Sequence, residues 1–370
     1  MTRTIACVVG ARPNFVKMGP ILRALNESGS GLRPVLIHTG QHYDAVMSDL
    51  FFEQLGLPKP DVHLEVGSGS QGDQTAKILS RYEAWLLTVE PKPAATLVVG
   101  DVNSTVACSL ASVKLGIPVI HVEAGLRSFD RTMPEEINRV LIDAISELLL
   151  VSDPAGVENL RHEGRPDSAI RMVGNVMIDV LFMQLPTAKA TGQPQAMGVE
   201  PGGYVVWTMH RPSNVDEPDV LRAMSEAMQR IARRLPVVFP CHPRSQARLE
   251  AAGLWNTLRQ SPGVVLSPPL GYLEFLSLSS QARIIITDSG GLQEESAVLG
   301  IPCLTLRENT ERPITVTHGT STLVGRDPAL LQRLVGDVLE GRYKPAQSPE
   351  LWDGKAGERI AREVVAFLAK

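Results

Sequence analysis

Cysteine is scarce and scattered in this chain of 370 residues, with no basic block and no long apolar run. Each absence excludes something. The four cysteines (Cys7, Cys108, Cys241 and Cys303) lie far apart, three of them in or beside apolar segments, and no CxxC pair occurs. A disulfide framework and a clustered thiolate metal site are therefore not expected, and a reducing cytoplasm fits. The net charge of −4 provides no positive footprint for tracking nucleic-acid phosphates, although a few local arginines can still hold a small anion. The first apolar run, "TIACVVG", is too short for a membrane span or a signal segment and ends in a GxRP turn. No Walker P-loop or HExxH occurs, so ATP and metal chemistry have no support. "GSGSQG" at Gly67–Gly72 matches G-x-G-x-x-G by letter, but it does not follow the first strand and the run before it is weak. It reads as a mobile loop.

What is present is a repeat of short Val/Ile/Leu-rich runs and helix-length segments. "TIACVVG", "RPVLIHTG", "ATLVVGD", "PVIHVEAG" and "LLLVSD" are nearly continuous in apolar residues, as strands buried on both faces should be. Between them Phe15–Asn26, Tyr43–Leu55, Gln74–Val89, Ser104–Leu115 and Pro134–Leu148 read as helices. Such β-α repeats predict a parallel sheet with right-handed crossovers. The pattern breaks at Leu185–Gly203, rich in Pro, Gly, Ala and Gln, and then restarts with "YVVWTMH", "PVVFPCHP", "GVVLSP", "ARIIITDSGG" and "PCLTLR". The expected organisation is an N-terminal domain over 1–184, a linker over 185–203 and a C-terminal domain over 204–356, with an amphipathic helix at 357–370 packing back on the first domain. The fold class is α/β, two Rossmann-like domains facing a cleft, with ligands at the carboxyl ends of the strands.

Reading those strand ends gives the candidate residues. Arg12 and Lys17 follow the first strand beside a helix start, where amide donors favour anions; a phosphate clamp and a solvated turn are both open. Asp101 ends another strand and is either a site carboxylate or a helix cap. "HVEAGLRSFDRTMPEEINR" places Glu123 just past a strand and Glu135 in the first turn of a helix after Pro134, where the dipole alone would favour it. Glu135 and Arg139 are four residues apart and share a face, which makes Arg139 a candidate substrate contact. In the second half, His210 ends a strand, His242 ends the next, and Ser289-Gly290-Gly291 forms a strand-to-helix turn suited to a diphosphate. Glu295 follows about one helical turn later, placed for ribose hydroxyls, and Arg312 lies in a later loop beside Glu311.

"GARPNFVK", "GDVNST", "HVEAGLRSFDRTMPEEINR", "HRPSN", "TDSGGLQEES" and "ENTERP", in this order, resemble the non-hydrolysing UDP-N-acetylglucosamine 2-epimerase family over nearly the whole chain. The resemblance implies a GT-B-like fold, a homodimer, a UDP-sugar substrate and no metal or redox cofactor. It implies that Asp101, Glu123 and Glu135 are catalytic, with His210 as a further candidate. Arg12, Lys17, His210, Ser289, Gly290, Gly291, Glu295 and Arg312 would line the UDP site, with Phe275 near the uracil. Some members bind a second UDP-sugar through a Q-H-x-Q motif; here "QHYD" ends in Asp44, which leaves Gln41, His42 and His242 as regulatory candidates. The implied reaction converts UDP-N-acetylglucosamine to UDP-N-acetylmannosamine and feeds cell-surface polysaccharide precursors. A modified UDP-sugar such as a diacetamido-uronic acid, or a GT-B glycosyltransferase activity, are the alternatives.

The chemistry accounts for the residue types. The C2 hydrogen of an N-acetylhexosamine is not next to a carbonyl, so direct deprotonation gives a poorly stabilised carbanion. Eliminating UDP to a glycal and re-adding it avoids that. The route needs an acid and a base, which clustered carboxylates supply by splitting their proton affinities. It also needs cations and amide dipoles for the leaving diphosphate.

Overall fold

The computed structural model describes residues 3–41 and 58–369, apart from the side chain of Arg12. The helix expected at Tyr43–Leu55, His42 and Asp44 lie outside the described residues. The chain divides into two compact units, Met1–Val180 with Glu350–Lys370, and Leu181–Pro349.

The first unit contains a seven-stranded parallel sheet: β1 (Arg3–Val9), β2 (Leu32–His38), β3 (Val62–His63), β4 (Ala95–Val99), β5 (Val119–Ala124), β6 (Leu148–Val151) and β7 (Ile170–Met172), in the order β3-β2-β1-β4-β5-β6-β7. Every residue of β4, β5 and β6 is buried. Alternation still sorts the side chains between the two faces. Ile5, Cys7 and Val9 of β1 join a cluster with Met18, Ile21, Leu22 and Leu25 of the helix Arg12–Glu27. Ala6 and Val8 join one with Ile78, Tyr82 and Leu86 of the helix Gln71–Thr88. Thr96, buried in β4, is satisfied by Tyr82 Oη at 2.9 Å and Ser112 Oγ at 2.7 Å. Ile360, Ala361 and Val364 of the helix Ala356–Leu368 complete the first cluster. Asp179 Oδ2 and Oδ1 accept the Ala356 and Gly357 amides at 3.1 and 2.8 Å, holding that helix at its start.

The second unit repeats the plan in a six-stranded parallel sheet: β8 (Val205–Thr208), β9 (Val237–Pro240), β10 (Val264–Ser267), β11 (Ile284–Thr287), β12 (Cys303–Thr305) and β13 (Ser321–Leu323), ordered β10-β9-β8-β11-β12-β13. Both orders reverse once, between β1 and β4 and between β8 and β11. At such reversals the loops part and leave a crevice at the carboxyl ends of the strands.

Several expectations need adjusting. The segment Leu185–Gly203 is not irregular throughout. A helix runs over Val176–Ala190 with Pro186 inside it, and a short one over Gln193–Ala196. Gln71 and Gly72 open the helix Gln71–Thr88, with Ser70 Oγ accepting the Asp73 amide, so the expected loop ends sooner. Strands β7 and β13 are each three residues long and carry polar residues (Arg171; Ser321 and Thr322), so they leave no apolar run. No helix among the described residues is long and apolar enough to cross a membrane.

Candidate active site

At the first unit's reversal point, Gly10 follows β1 in a place only glycine fits. A Cβ there would lie 1.9 Å from Ser104 Oγ and 2.7 Å from Thr39 Oγ1. The close approach lets three loops meet, and Thr39 Oγ1 and Ser104 Oγ are 2.7 Å apart. Asn14, in the first turn of the helix Arg12–Glu27, donates to Val99 O at 2.7 Å and accepts the Ala11 amide at 3.1 Å. It ties the end of β4 to the start of that helix. Lys17, one turn further on, is ion-paired with Glu123. The cation expected at a phosphate thus faces a carboxylate of its own unit.

Glu123 owes its aim to the backbone. Its φ is +70°, a left-handed value uncommon for any residue but glycine, and the pairing of β5 with β6 shifts register between Val122 and Ala124. Bulges of this kind re-aim a side chain at the end of a strand. Gly100 lies alongside, where a Cβ would be 3.5 Å from Glu123 Oε2 and 3.8 Å from Lys17 Nζ.

Asp101 does not cap the next helix; Val102 occupies that position without a side-chain cap. Its carboxylate, about a third exposed, accepts from Arg139 Nε at 2.9 Å. Arg139 is buried, and its Nη1 reaches Glu136 Oε2 at 2.5 Å. Glu136 also accepts the amides of Ser128 and Phe129, each at 2.9 Å. Burial would raise its pKa, but those amides and the guanidinium hold it below the ordinary glutamate value. Arg139 thus pairs with Glu136, three residues before it, rather than with Glu135, which lies four before it on the same face. Half-buried Glu135 meets no cation among the described residues.

Gln41, a regulatory candidate, is buried. Its Oε1 accepts from Ser104 N at 3.3 Å and Ser104 Oγ at 2.8 Å, and its carbonyl accepts from Gln74 Nε2 at 3.0 Å. Its side-chain oxygen is thus engaged in packing between loops.

The second unit's reversal point is organised by Asp288, fully buried at the end of β11. Its Oδ2 accepts the amides of His210 and Arg211 at 2.9 and 2.8 Å and Asn214 Nδ2 at 3.0 Å. Its Oδ1 lies 2.8 Å from His210 Nδ1, close enough to pair though not aligned as a hydrogen bond. Burial opposes ionisation of Asp288, but His210 and these donors bring its pKa below the ordinary value. The arrangement leaves His210 Nε2 as the ring nitrogen for a ligand.

Beside Asp288 begins the helix Gly290–Leu299, with Ser289 as N-cap. Neither Gly290 nor Gly291 has a left-handed φ, and a Cβ on either would meet nothing within 4 Å. The fold does not require glycine here; the open helix start does offer unpartnered amides to an anion. A cavity of about 220 Å³ adjoins it, lined by His210, His242, Leu270, Phe275, Ser289 and Leu292 among others. His242 lies against His210 with the rings tilted and their centroids 5.8 Å apart, and its Nδ1 accepts the Arg244 amide at 3.2 Å. The structure thus brings His242 to the same pocket as His210, Phe275 and Ser289. Glu295 is buried on the same helix, and desolvation, helped by Glu294, pushes its pKa up to about 8. Arg312 pairs through Nε with Glu294 Oε1 at 2.5 Å. Glu311, its sequence neighbour, pairs instead with Arg307 at 2.8 Å.

Two Rossmann-like units define a GT-B-like α/β protein of the nucleotide-handling class, one carrying clustered carboxylates and the other an open helix start beside a His–Asp pair. Residues 23–365 match the family described as UDP-N-acetylglucosamine 2-epimerase, and the chain belongs to that family. The UDP-N-acetylglucosamine 2-epimerase of Methanococcus maripaludis is 41% identical over 365 residues, covering 97% of this chain and 98% of that one. The UDP-2,3-diacetamido-2,3-dideoxy-D-glucuronate 2-epimerase of Pseudomonas aeruginosa is also 41% identical, over 373 residues and 99% of each chain. Among solved structures, the Methanocaldococcus jannaschii UDP-GlcNAc 2-epimerase in complex with UDP-GlcNAc and UDP matches with a TM-score of 0.84 and 39% identity, covering 98% of this chain and 99% of that one.

Proposed function

We propose that this chain interconverts UDP-N-acetylglucosamine and UDP-N-acetylmannosamine by eliminating UDP to a glycal and adding it back. The observation that supports the reading is a pair of strand-end carboxylates, Glu123 facing Lys17 and Asp101 facing Arg139, with Glu135 on the helix that bears Arg139, in a chain of this family. The three stand in different surroundings. Glu123 faces the Lys17 ammonium, Asp101 faces Arg139, and Glu135 faces no cation among the described residues. Glu123, re-aimed at the end of β5 beside Lys17, is the candidate to remove the C2 proton. Reprotonation from the other face needs a second group, and Asp101 and Glu135 are the candidates. The second unit serves the nucleotide. The Gly290 and Gly291 amides, with His210 held by Asp288, meet the diphosphate as its charge develops. Glu295, protonated near neutral pH, offers both a donor and an acceptor to ribose hydroxyls, and Phe275 packs on the uracil. Arg312, paired with Glu294, is the second unit's candidate cation for the nucleotide. A homodimer in the cytoplasm, supplying N-acetylmannosamine units for surface polysaccharide, is the setting that fits the family and the four buried free cysteines.

Incubating UDP-N-acetylglucosamine with the protein alone in heavy water tests the reading. A second UDP-sugar carrying deuterium at C2 is expected. No second UDP-sugar defeats epimerisation of this substrate, and unlabelled product defeats elimination. The Pseudomonas aeruginosa relative, equally similar, supports a second reading in which the sugar is a 2,3-diacetamido uronic acid. Offering both UDP-sugars in competition decides between them by their kcat/KM values.

A further inference from the structure

Behind the three carboxylates lies a buried ion chain that none of the proposed chemical steps uses. His121, on β5 two residues before Glu123, is fully buried. Its Nδ1 lies 2.7 Å from Asp143 Oδ1, and its Nε2 lies 3.0 Å from the carbonyl of Gly100, the residue before Asp101. Asp143 is equally buried, and its Oδ2 accepts the Gly125 amide at 3.0 Å and faces Arg127 Nη2 at 2.7 Å. Arg127 continues outward to Glu163 at 2.6 Å. Asp143 stands on the helix Pro134–Ile145, which also carries Glu135 and Arg139.

One carboxylate and one imidazole therefore join the three segments that bear Asp101, Glu123 and Glu135. Asp143 itself stays ionised: burial raises its pKa, but His121, Arg127 and the Gly125 amide bring it below the ordinary value. Both nitrogens of His121 face oxygens, Nδ1 that of Asp143 and Nε2 the Gly100 carbonyl, which can only accept. A buried ionisable pair of this kind is weak evidence for stability alone, because the cost of desolvating it offsets most of the attraction. Its geometric effect is specific: it sets where the Gly100–Asp101 loop stands relative to the end of β5.

Resting on the epimerase reading above, we propose that His121 is a positioning residue for the proton transfers, acting through its Nε2–H bond to Gly100. Two substitutions separate its two bonds. His121→Asn keeps a donor near the Nδ1 position and loses reach to Gly100; His121→Gln keeps a donor near Nε2. With UDP-N-acetylglucosamine as substrate, His121→Asn is expected to lower kcat about 10²-fold with KM little changed, as for a misplacement on the order of 1 Å. His121→Gln is expected to recover most of that loss although it melts no later. Equal losses of kcat that track the two melting temperatures would overturn the proposal and leave a role in folding alone. If neither variant folds, selective ¹⁵N labelling of histidine in the unaltered protein decides: a proton on His121 Nε2 supports the proposal, and a bare Nε2 overturns it. That measurement needs no turnover, so failure of the substrate reading would show separately, as an unaltered protein that forms no second UDP-sugar.

Discussion

The two sheets share a strand order and a reversal point, yet their carboxyl ends are furnished in opposite ways. In the first unit charged side chains meet one another: Lys17 with Glu123, and Arg139 with both Asp101 and Glu136. In the second the open feature is backbone, a helix start whose glycines leave room where a side chain would stand. Its acidic groups are either tied to donors, as Asp288 is, or held protonated by burial, as Glu295 is. One topology thus supports two kinds of work. Paired ions of unequal surroundings suit proton transfer, whereas preorganised amides suit a charge that arrives with the ligand. The difference lies in the loops after the strands, which tolerate exchange while the sheets do not.

The strongest test of that division is Glu123→Gln. It should reduce turnover by roughly 10²–10⁴-fold, the range for loss of a general base, while UDP binding measured by calorimetry stays near the unaltered value. A matching loss of UDP affinity would mean that the first unit binds nucleotide as well. Next comes Glu295→Gln in the second unit, read by melting across pH. A carboxyl whose folded pKa is raised to about 8 contributes its full stability below its ordinary pKa near 4.5, and loses that stability as pH climbs toward 8. The glutamine variant should therefore match the parent at low pH and exceed it by a few kcal/mol near pH 8. Parallel pH profiles would show that Glu295 ionises without penalty. Gly10→Ala should destabilise the protein by about 1–3 kcal/mol, because Ser104 and Thr39 leave a methyl no room. Gly291→Ala should do the reverse, leaving the melting temperature equal or raising stability by up to about 1 kcal/mol, since alanine suits a helix better. Its cost should appear in UDP affinity, about tenfold, or 1.4 kcal/mol. If UDP binds Gly291→Ala as well as the parent, the helix start is not the diphosphate site.

Much of this was legible in the chain because buried parallel strands leave continuous apolar runs, and a run's end marks the face where chemistry sits. That logic located Asp101, Glu123, His210 and the Ser289–Gly291 turn. It did not single out Asp288, although the residue stands in the same turn, because its role exists only through β8 pairing with β11. Helical spacing permits Arg139 to meet either Glu135 or Glu136. The choice falls to the amides of Ser128 and Phe129, which fix Glu136 from a loop whose path no periodicity records. His121 read as part of an apolar run, and its partner Asp143, 22 residues on, gave no signal of its own. Strands such as β7 and β13 escape for a simpler reason: polar residues interrupt them, Arg171 in β7 and Ser321 and Thr322 in β13, so no apolar run is left.

The helix Ala356–Leu368 has a consequence for how the molecule is made. The first unit's core is closed by residues that are synthesised after the whole second unit. At about 5–20 residues per second, the stretch from residue 180 to residue 370 takes roughly 10–40 s to synthesise. Throughout that interval Met18, Ile21, Leu22 and Leu25 lack the partners that finally cover them. The unit that begins the chain is therefore the later of the two to be finished. The nascent protein carries an uncovered apolar face for that time, and a chaperone or a slow-translating stretch has most to offer there.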